Sequence, residues 1–231
     1  MRQRRVDELM DDPALGPAEH DRALAGLCRL NALSRSHRLL LPGVLRAVRR
    51  ASLREVTILD VATGAADGPV RIARHLARHG VRTRLLLADA SAHALAIAAE
   101  RARAAGIDAE PLRCDAVAAP IPARADIVTC SLFVHHLDRA DAVRMLGHLR
   151  DAARHAVAVA DLDRSRTGLA LAWAASRIAS RSPVVHFDAP ASVHAAYTAD
   201  EARTLAHEAG MAGASVVRRW PCRWTIEWGR A

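Results

Sequence analysis

The sequence predicts an α/β protein. Its expected core is a Rossmann-like, doubly wound sheet of seven strands, mostly parallel, with an antiparallel hairpin at the C-terminal edge and a helical cap at the N-terminus. Three observations carry this expectation. Short apolar runs alternate with longer stretches of helical periodicity between Val56 and Ser180, the pattern of a parallel sheet covered on both faces. The first run, Val56–Val61, carries Asp60 near its end and leads into the small residues Ala62-Thr63-Gly64-Ala65-Ala66, so a ligand can approach the backbone there. The last two runs are separated only by Trp220, Pro221 and Cys222, too short a link for a crossover and suited to an antiparallel pair.

Taken in order, apolar residues from Pro17 to Leu33 recur at helical spacing, with Pro17 suited to a first turn and Leu24, Leu27, Leu30 and Leu33 on one face. A second helical stretch covers Ser34 to Arg50, and Pro42-Gly43 is expected to kink or split it. These helices form a cap over residues 1–51, ahead of a domain over 52–231. Further strands are expected at Thr83–Ala88, Ala109–Arg113, Ile127–Ser131 and Ala156–Leu162. The intervening helices fall at Gly68–His79, Ala92–Ala105, Arg139–Arg154 and Arg166–Ser180. Arg181 to Thr198 reads as irregular. A helix at Ala199–Ala209 and strands at Ala214–Arg219 and Arg223–Trp228 complete the chain.

Composition narrows the function classes. Hydrophobic residues make up 51% and aromatics 3%, so the core is built of Ala, Leu and Val. No apolar run is long enough to span a bilayer, and the basic start Met1-Arg2-Gln3-Arg4-Arg5 leads into acidic sequence, which points to a cytoplasmic protein without a membrane partner. Cys28, Cys114, Cys130 and Cys222 are scattered without metal-ligand spacing, so free buried thiols and no metal are expected. The net charge of +8 comes from 33 arginines and no lysine, spread along the chain with short clusters at Arg2–Arg5, Arg49–Arg50 and Arg218–Arg219. That distribution favours a solvated surface over a phosphate-tracking stripe, and with the abundant alanine it suits a GC-rich coding sequence.

Four strand ends carry the chemistry. A carboxylate at Asp60 suits a ligand with a positive charge, whereas a pyrophosphate loop would favour bare N–H groups. Leu85-Leu86-Leu87-Ala88-Asp89-Ala90-Ser91 puts a second acid where it can accept two neighbouring hydroxyls, although Asp89 could also cap the next helix, a task Ser91 can equally perform. Leu112-Arg113-Cys114-Asp115-Ala116 ends the third strand, and Ala125-Asp126-Ile127-Val128-Thr129-Cys130-Ser131 with Leu132-Phe133-Val134-His135-His136-Leu137 forms the fourth strand and its loop.

In this order, the four segments resemble the class I S-adenosylmethionine-dependent methyltransferases, over about Ser52 to Trp228. The resemblance implies that Asp60, Ala62 and Gly64 approach the methionine part of S-adenosylmethionine, with Ala62 and Ala66 standing where the family carries glycine. It also implies that Asp89, beside Ala90, holds the ribose, that Asp115 and Ala116 meet the adenine, and that Ser131 lies under the methyl donor. Alanine adopts positive φ only at a cost, so the loop raises a question about cofactor affinity.

The chain is also similar to small-molecule methyltransferases of quinone biosynthesis and polyketide tailoring. This implies an aromatic or polyketide-like acceptor, methylated on a phenolic oxygen, with C-methylation of an activated ring as the alternative. His186 with Asp188 forms one candidate base, in the segment expected to recognise the acceptor, and His135 is another. His136 is expected to pack behind the loop; Asp161 and Tyr197 are second choices. Leu24, Leu27, Leu30, Asn31 and Leu39–Leu41 could form an apolar lid. Nucleic acid is not expected as a substrate: no Asn/Asp-Pro-Pro-aromatic motif is present, and Pro221-Cys222 lies between the last two strands. A dinucleotide oxidoreductase is disfavoured because Gly64 to Gly68 lacks Gly-x-Gly-x-x-Gly spacing. A non-catalytic binding module is the remaining class, and the chain is expected as a monomer or homodimer.

Overall fold

Seven strands form one sheet in the order β3-β2-β1-β4-β5-β7-β6: β1 (Glu55–Val61), β2 (Arg82–Asp89), β3 (Asp108–Arg113), β4 (Ala125–Ser131), β5 (Ala153–Leu162), β6 (Ser215–Arg219) and β7 (Arg223–Gly229). The computed structural model describes residues 1–6, 8–11, 15–16, 19, 22–23, 26, 29–30 and 37–230. Pairing is parallel from β3 through β5, and β7 runs antiparallel to both β5 and β6. The chain order reverses between β1 and β4, both of which lie at the centre of the sheet, and ligands of such sheets sit at that switch point.

Apolar runs without alternation explain the central strands. Ile58, Leu59, Ile127, Val128, Val157 and Val159 are buried because helices cover both faces. One face carries α1 (His37–Arg50), α2 (Asp67–Ala77) and α3 (Ala92–Ala104), whose Leu40, Val44, Ile72, Leu76, Leu95 and Ala98 pack with Ile58, Leu85 and Ile127. The other carries α4 (Arg139–Ala152) and α7 (Ala199–Glu208), which bring Met145, Leu146, Leu149 and Leu205 onto Val128, Val159 and Trp224. Burying each of the larger side chains contributes about 1.5–3 kcal/mol. Asp138 caps α4 by accepting from the Asp141 amide at 2.8 Å, and Thr198 with Glu201 forms a reciprocal capping box on α7.

Two expectations are corrected. Pro42-Gly43 does not split the helical stretch among the described residues, since α1 continues through both. Pro42 forfeits one hydrogen bond, but the buried stripe Leu40, Val44, Ala47 and Val48 holds the turn against the sheet. Gly43 lets α1 lie close to β7: a Cβ there would meet Glu227 Cγ at 3.2 Å.

The segment expected to be irregular contains two-proline helix α6 (Pro183–Ala195), preceded by α5 (Arg166–Ala179). Pro183 sits in the first turn, where no N–H is needed, and Pro190 lies inside. The helix shows no amphipathic stripe because it is covered on several sides, and Val184, Val185, Asp188, Ala189, Ala191, Val193 and Ala195 are all buried.

The expected helix over residues 17–33 falls largely outside the described residues, and with it Leu24, Leu27 and Asn31 of the expected lid. Ahead of it, Gln3, Arg4, Leu9 and Met10 lie along α6. The Arg4 amide donates to His194 O at 3.0 Å, Gln3 Nε2 to Ala195 O at 2.7 Å, and the Leu9 and Met10 amides to the Asp188 carboxylate at 2.8 and 3.1 Å. Cys114, Cys130 and Cys222 are free, and of these three only Cys130 is fully buried. Among the described residues, no helix is long and apolar enough to cross a membrane.

Candidate functional site

Two cavities open at the carboxyl ends of the strands. The first, of about 490 Å³, is lined by every residue expected to meet the cofactor: Asp60, Ala62, Gly64, Asp89, Ala90, Asp115, Ala116 and Ser131. The turn after β1 shapes it. Ala62, Gly64 and Ala66 all adopt left-handed backbone, with φ of 52°, 51° and 56°. The two alanines therefore take up a conformation that usually falls to glycine, and the surroundings hold them there. Ala66 is fully buried, while Arg101 of α3 donates to Ala65 O at 2.7 Å and pairs with Asp67 at 2.6 Å.

Of the acids that line this cavity, three follow the ends of β1, β2 and β3: Asp60, Asp89 and Asp115. Asp60 is 3% exposed and accepts from Thr129 Oγ1 at 2.6 Å. Burial pushes its pKa up to about 6; the Thr129 hydroxyl only partly opposes this, and the Asp89 charge adds to it. Such a carboxylate is poised to gain a cationic neighbour. Asp89 accepts from the Gly64 amide through Oδ2 and from the Ser91 amide through Oδ1, both at 2.9 Å. Capping of α3 is left to Ser91, whose Oγ accepts from the Ala94 amide at 3.2 Å, so Asp89 retains lone pairs for hydroxyl donors. Asp115 accepts from Val117 and Ala118 amides through Oδ1, at 2.9 and 3.1 Å, which fixes the loop after β3.

The second cavity, of about 400 Å³, is mostly apolar. Leu30, Leu132, Leu162, Leu171, Val193, Trp220 and Pro221 line it, together with Glu8, His135, His136 and Arg223. Glu8, Leu132 and His136 also line the first cavity, so the two meet at these residues. Leu132 has a φ of 56°, a strained conformation for a branched side chain, and its amide is held by Ala160 O at 2.9 Å.

The expected base in α6 is corrected. His186 Nε2 bonds Ser180 O at 2.7 Å, Asp188 accepts from the Leu9 and Met10 amides, and neither residue lines either cavity. The helix at Pro183–Ala195 gives the two side chains separate partners. Tyr197 is likewise committed: its hydroxyl donates to Leu137 O at 2.9 Å and accepts from Arg5 at 2.6 Å.

The geometry instead joins His135 to Asp161, at the end of β5. His135 Nδ1 donates to Asp161 Oδ1 at 2.6 Å, and the backbone amides of His135 and Leu162 donate to the same carboxylate at 3.2 and 2.6 Å. A carboxylate can only accept, so the neutral ring carries its proton on Nδ1 and keeps a lone pair on Nε2. Burial alone would lower the His135 pKa, but the Asp161 charge and hydrogen bond, with Glu8, raise it above the ordinary value. Burial would raise Asp161, and His135 with the Leu162 amide holds it low.

His136, expected to pack behind the loop, instead lines both cavities, its ring centroid 4.2 Å from that of His135. Crowding by protein and the neighbouring His135 push its pKa down to about 4, so it is neutral near pH 7. Glu8 is bonded by Ser192 Oγ, and its Oε1 lies 3.9 Å from His135 Nε2. Glu8, His135 and His136 bring one potential ligand atom each within 4.8 Å of one another, a set that could also hold a divalent cation. Sequence reading did not single out Glu8, because nothing local to it distinguishes it from the other acids near the N-terminus.

Comparison with known proteins bears on the fold that carries these cavities. Residues 58–156 match the family model described as "Methyltransferase domain". No curated protein matches the chain in sequence. Among solved structures, a candidate O-methyltransferase from Nostoc punctiforme is 19% identical with a TM-score of 0.59; the match covers 89% of this chain and 60% of that one, so this chain spans well under two thirds of that protein. A SAM-dependent methyltransferase from Aquifex aeolicus is 18% identical over 88% of this chain and 98% of its own, with a TM-score of 0.58. The plantazolicin methyltransferase BpumL, in complex with SAH, is 13% identical over 92% and 96%, with a TM-score of 0.66. At such identities these structures show a shared fold.

Proposed function

We propose that this chain, whose residues 58–156 match a methyltransferase domain, uses S-adenosylmethionine to O-methylate a phenolic or polyketide-derived small molecule, with His135 as the base. One observation carries this reading: the carboxylate-rich cavity and the apolar cavity meet at Leu132, Glu8 and His136, beside the His135–Asp161 pair. A methyl group passed in line from a sulfonium needs that kind of junction, with donor on one side and nucleophile on the other. Alignment of this sort can supply about 7–11 kcal/mol of the barrier in favourable cases.

Each cofactor contact follows from the chemistry of the group it meets. Asp60 suits the ammonium of the methionine moiety, Asp89 the ribose diol and Asp115 the adenine amine, while the left-handed turn at Ala62 to Ala66 lets the backbone approach. On the acceptor side, Asp161 orients His135 so that Nε2 takes the phenolic proton as the C–O bond to the methyl group forms. The apolar walls suit an aromatic ring and keep water from the sulfonium.

Purified protein, S-adenosylmethionine and a panel of phenols provide the test, with release of S-adenosylhomocysteine as the readout and NMR of the product to locate the methyl group. Methyl ethers are the expected product. Methylation on ring carbon would favour the C-transfer alternative, and no turnover with any phenol would reject the acceptor class.

A further inference from the structure

Arg223, the first residue of β7, lines the apolar cavity. Its NH1 donates to two backbone carbonyls, Pro221 O and Cys222 O, each at 3.2 Å, and its Nε is buried with no hydrogen-bond partner. Among the described residues, no carboxylate forms an ion pair with it. The carboxylate whose charge acts on it is Asp161, which is already engaged by the His135 ring and by two backbone amides. Glu8, the acid in the cavity wall, is bonded by Ser192 and turned towards His135. Burial lowers the Arg223 pKa, as expected of a cation short of counter-charge.

A guanidinium remains charged, and one largely withdrawn from water with no carboxylate paired to it favours the arrival of an anionic partner. Most of the wall is apolar and binds rings and chains; among the described residues its one carboxylate, Glu8, is engaged by Ser192 and lies beside His135, so it does not pair with Arg223. A partner must therefore come with the occupant of the cavity.

We propose that the acceptor bears an anionic group, a carboxylate or an equivalent acidic oxygen, which pairs with Arg223 while its nucleophilic oxygen faces His135. The acceptor class is then a hydroxylated aromatic or polyketide acid in place of a neutral phenol. Arg223 acts as a specificity residue, and its planar fork can meet a carboxylate through two parallel hydrogen bonds. This inference rests on the reading of the apolar cavity as the acceptor site.

Binding of 1-naphthoate and of the isosteric neutral 1-naphthamide to the complex with S-adenosylhomocysteine, measured by calorimetry, tests it. The acid is expected to bind at least about tenfold more tightly to the wild-type protein. Arg223→Met should abolish that preference, and Arg223→Lys, which keeps the charge but loses the fork, should retain part of it. Both variants are first checked for an unchanged response to S-adenosylhomocysteine, which reports an intact fold. Equal binding of acid and amide, a preference that survives Arg223→Met, or no binding of either probe would overturn the proposal. Loss of the acid preference while neutral phenols are still methylated would reject the acidic acceptor and leave phenol transfer standing. An Arg223-dependent preference without phenol turnover would do the reverse.

Discussion

The two cavities are built in opposite ways. The carboxylate-rich one is built mainly from the ends of β1 to β4, each contributing an acid or small residue that sits within a few positions of its strand, with Glu8, Met10 and His37 closing it. The apolar one draws on Glu8, the loop after β4, α5, α6 and the link into β7, segments from one end of the chain to the other. In the first, the backbone does much of the work, through left-handed turns and amide donors. In the second, side chains from distant elements meet, and both charge and shape depend on how helices pack. On the proposed reading, the methyl donor is held by a local pattern, whereas selection of an acceptor is left to tertiary packing.

If that division is right, substitutions in one cavity should leave the other's ligand unaffected. The largest effect is expected for His135→Gln, which should lower kcat by about 10²–10⁴-fold with affinity for S-adenosylhomocysteine unchanged. Because Asp161 raises the His135 pKa, the rising limb of the kcat–pH profile should lie above pH 6.5, and Asp161→Asn should move it to lower pH. A fall in cofactor affinity with either variant would show that the two halves are coupled.

Next comes Asp89→Ala, which removes the proposed acceptor for the ribose hydroxyls and a tie to the Gly64 amide. Hydrogen bonds to a charged group are worth about 1.5–3 kcal/mol, so calorimetry should find S-adenosylhomocysteine bound roughly 10–100-fold more weakly. Binding of an acceptor analogue such as 1-naphthoate should change little.

A smaller effect arises from Asp60, whose pKa stands at about 6 in place of 3.8. A raised carboxyl pKa means that folding favours the protonated form. That contribution to stability is fully present below about pH 4 and is lost as pH rises through about 6. Pairing with an ammonium needs the ionised form, so affinity for S-adenosylhomocysteine should fall about tenfold per pH unit below 6. The thermal shift on adding it should accordingly be larger at pH 7.5 than at pH 5. Asp60→Asn should flatten that difference.

Strain at the turn offers a finer test. Ala62 is held at a φ of 52°, so Ala62→Gly should gain up to about 1 kcal/mol, or roughly 2–4 °C in Tm. Ala66→Gly should gain nothing, because the same relief is offset by loss of a fully buried methyl group. The smallest expected effect is that of a chelator. If His135 works by proton transfer, EDTA should leave turnover unchanged, and loss of activity would assign Glu8, His135 and His136 to a metal.

Much of the carboxylate-rich cavity was legible in advance because its features are local. Asp60, Gly64, Asp89 and Asp115 lie at strand ends that the apolar runs mark out, and parallel strands bring successive ends to one edge. The alanines at 62 and 66 were harder to judge. Sequence counts them as missing glycines, and only the folded turn shows them in left-handed backbone. Helix α6 escaped notice for a different reason. Burial on several sides erased the amphipathic period by which a helix is recognised, and its two prolines resemble loop punctuation.

The sequence by itself determined the doubly wound sheet, its antiparallel edge and the row of acids along one side, because strand periodicity and turn chemistry are written over short stretches. Tertiary structure alone decided which groups meet at the acceptor. It paired His135 with Asp161 instead of His186 with Asp188, turned His136 towards both cavities, brought Glu8 across to them and left Arg223 without an ion pair among the described residues. Each of those outcomes depends on contacts between residues far apart in the chain, and spacing in sequence holds no record of such distances.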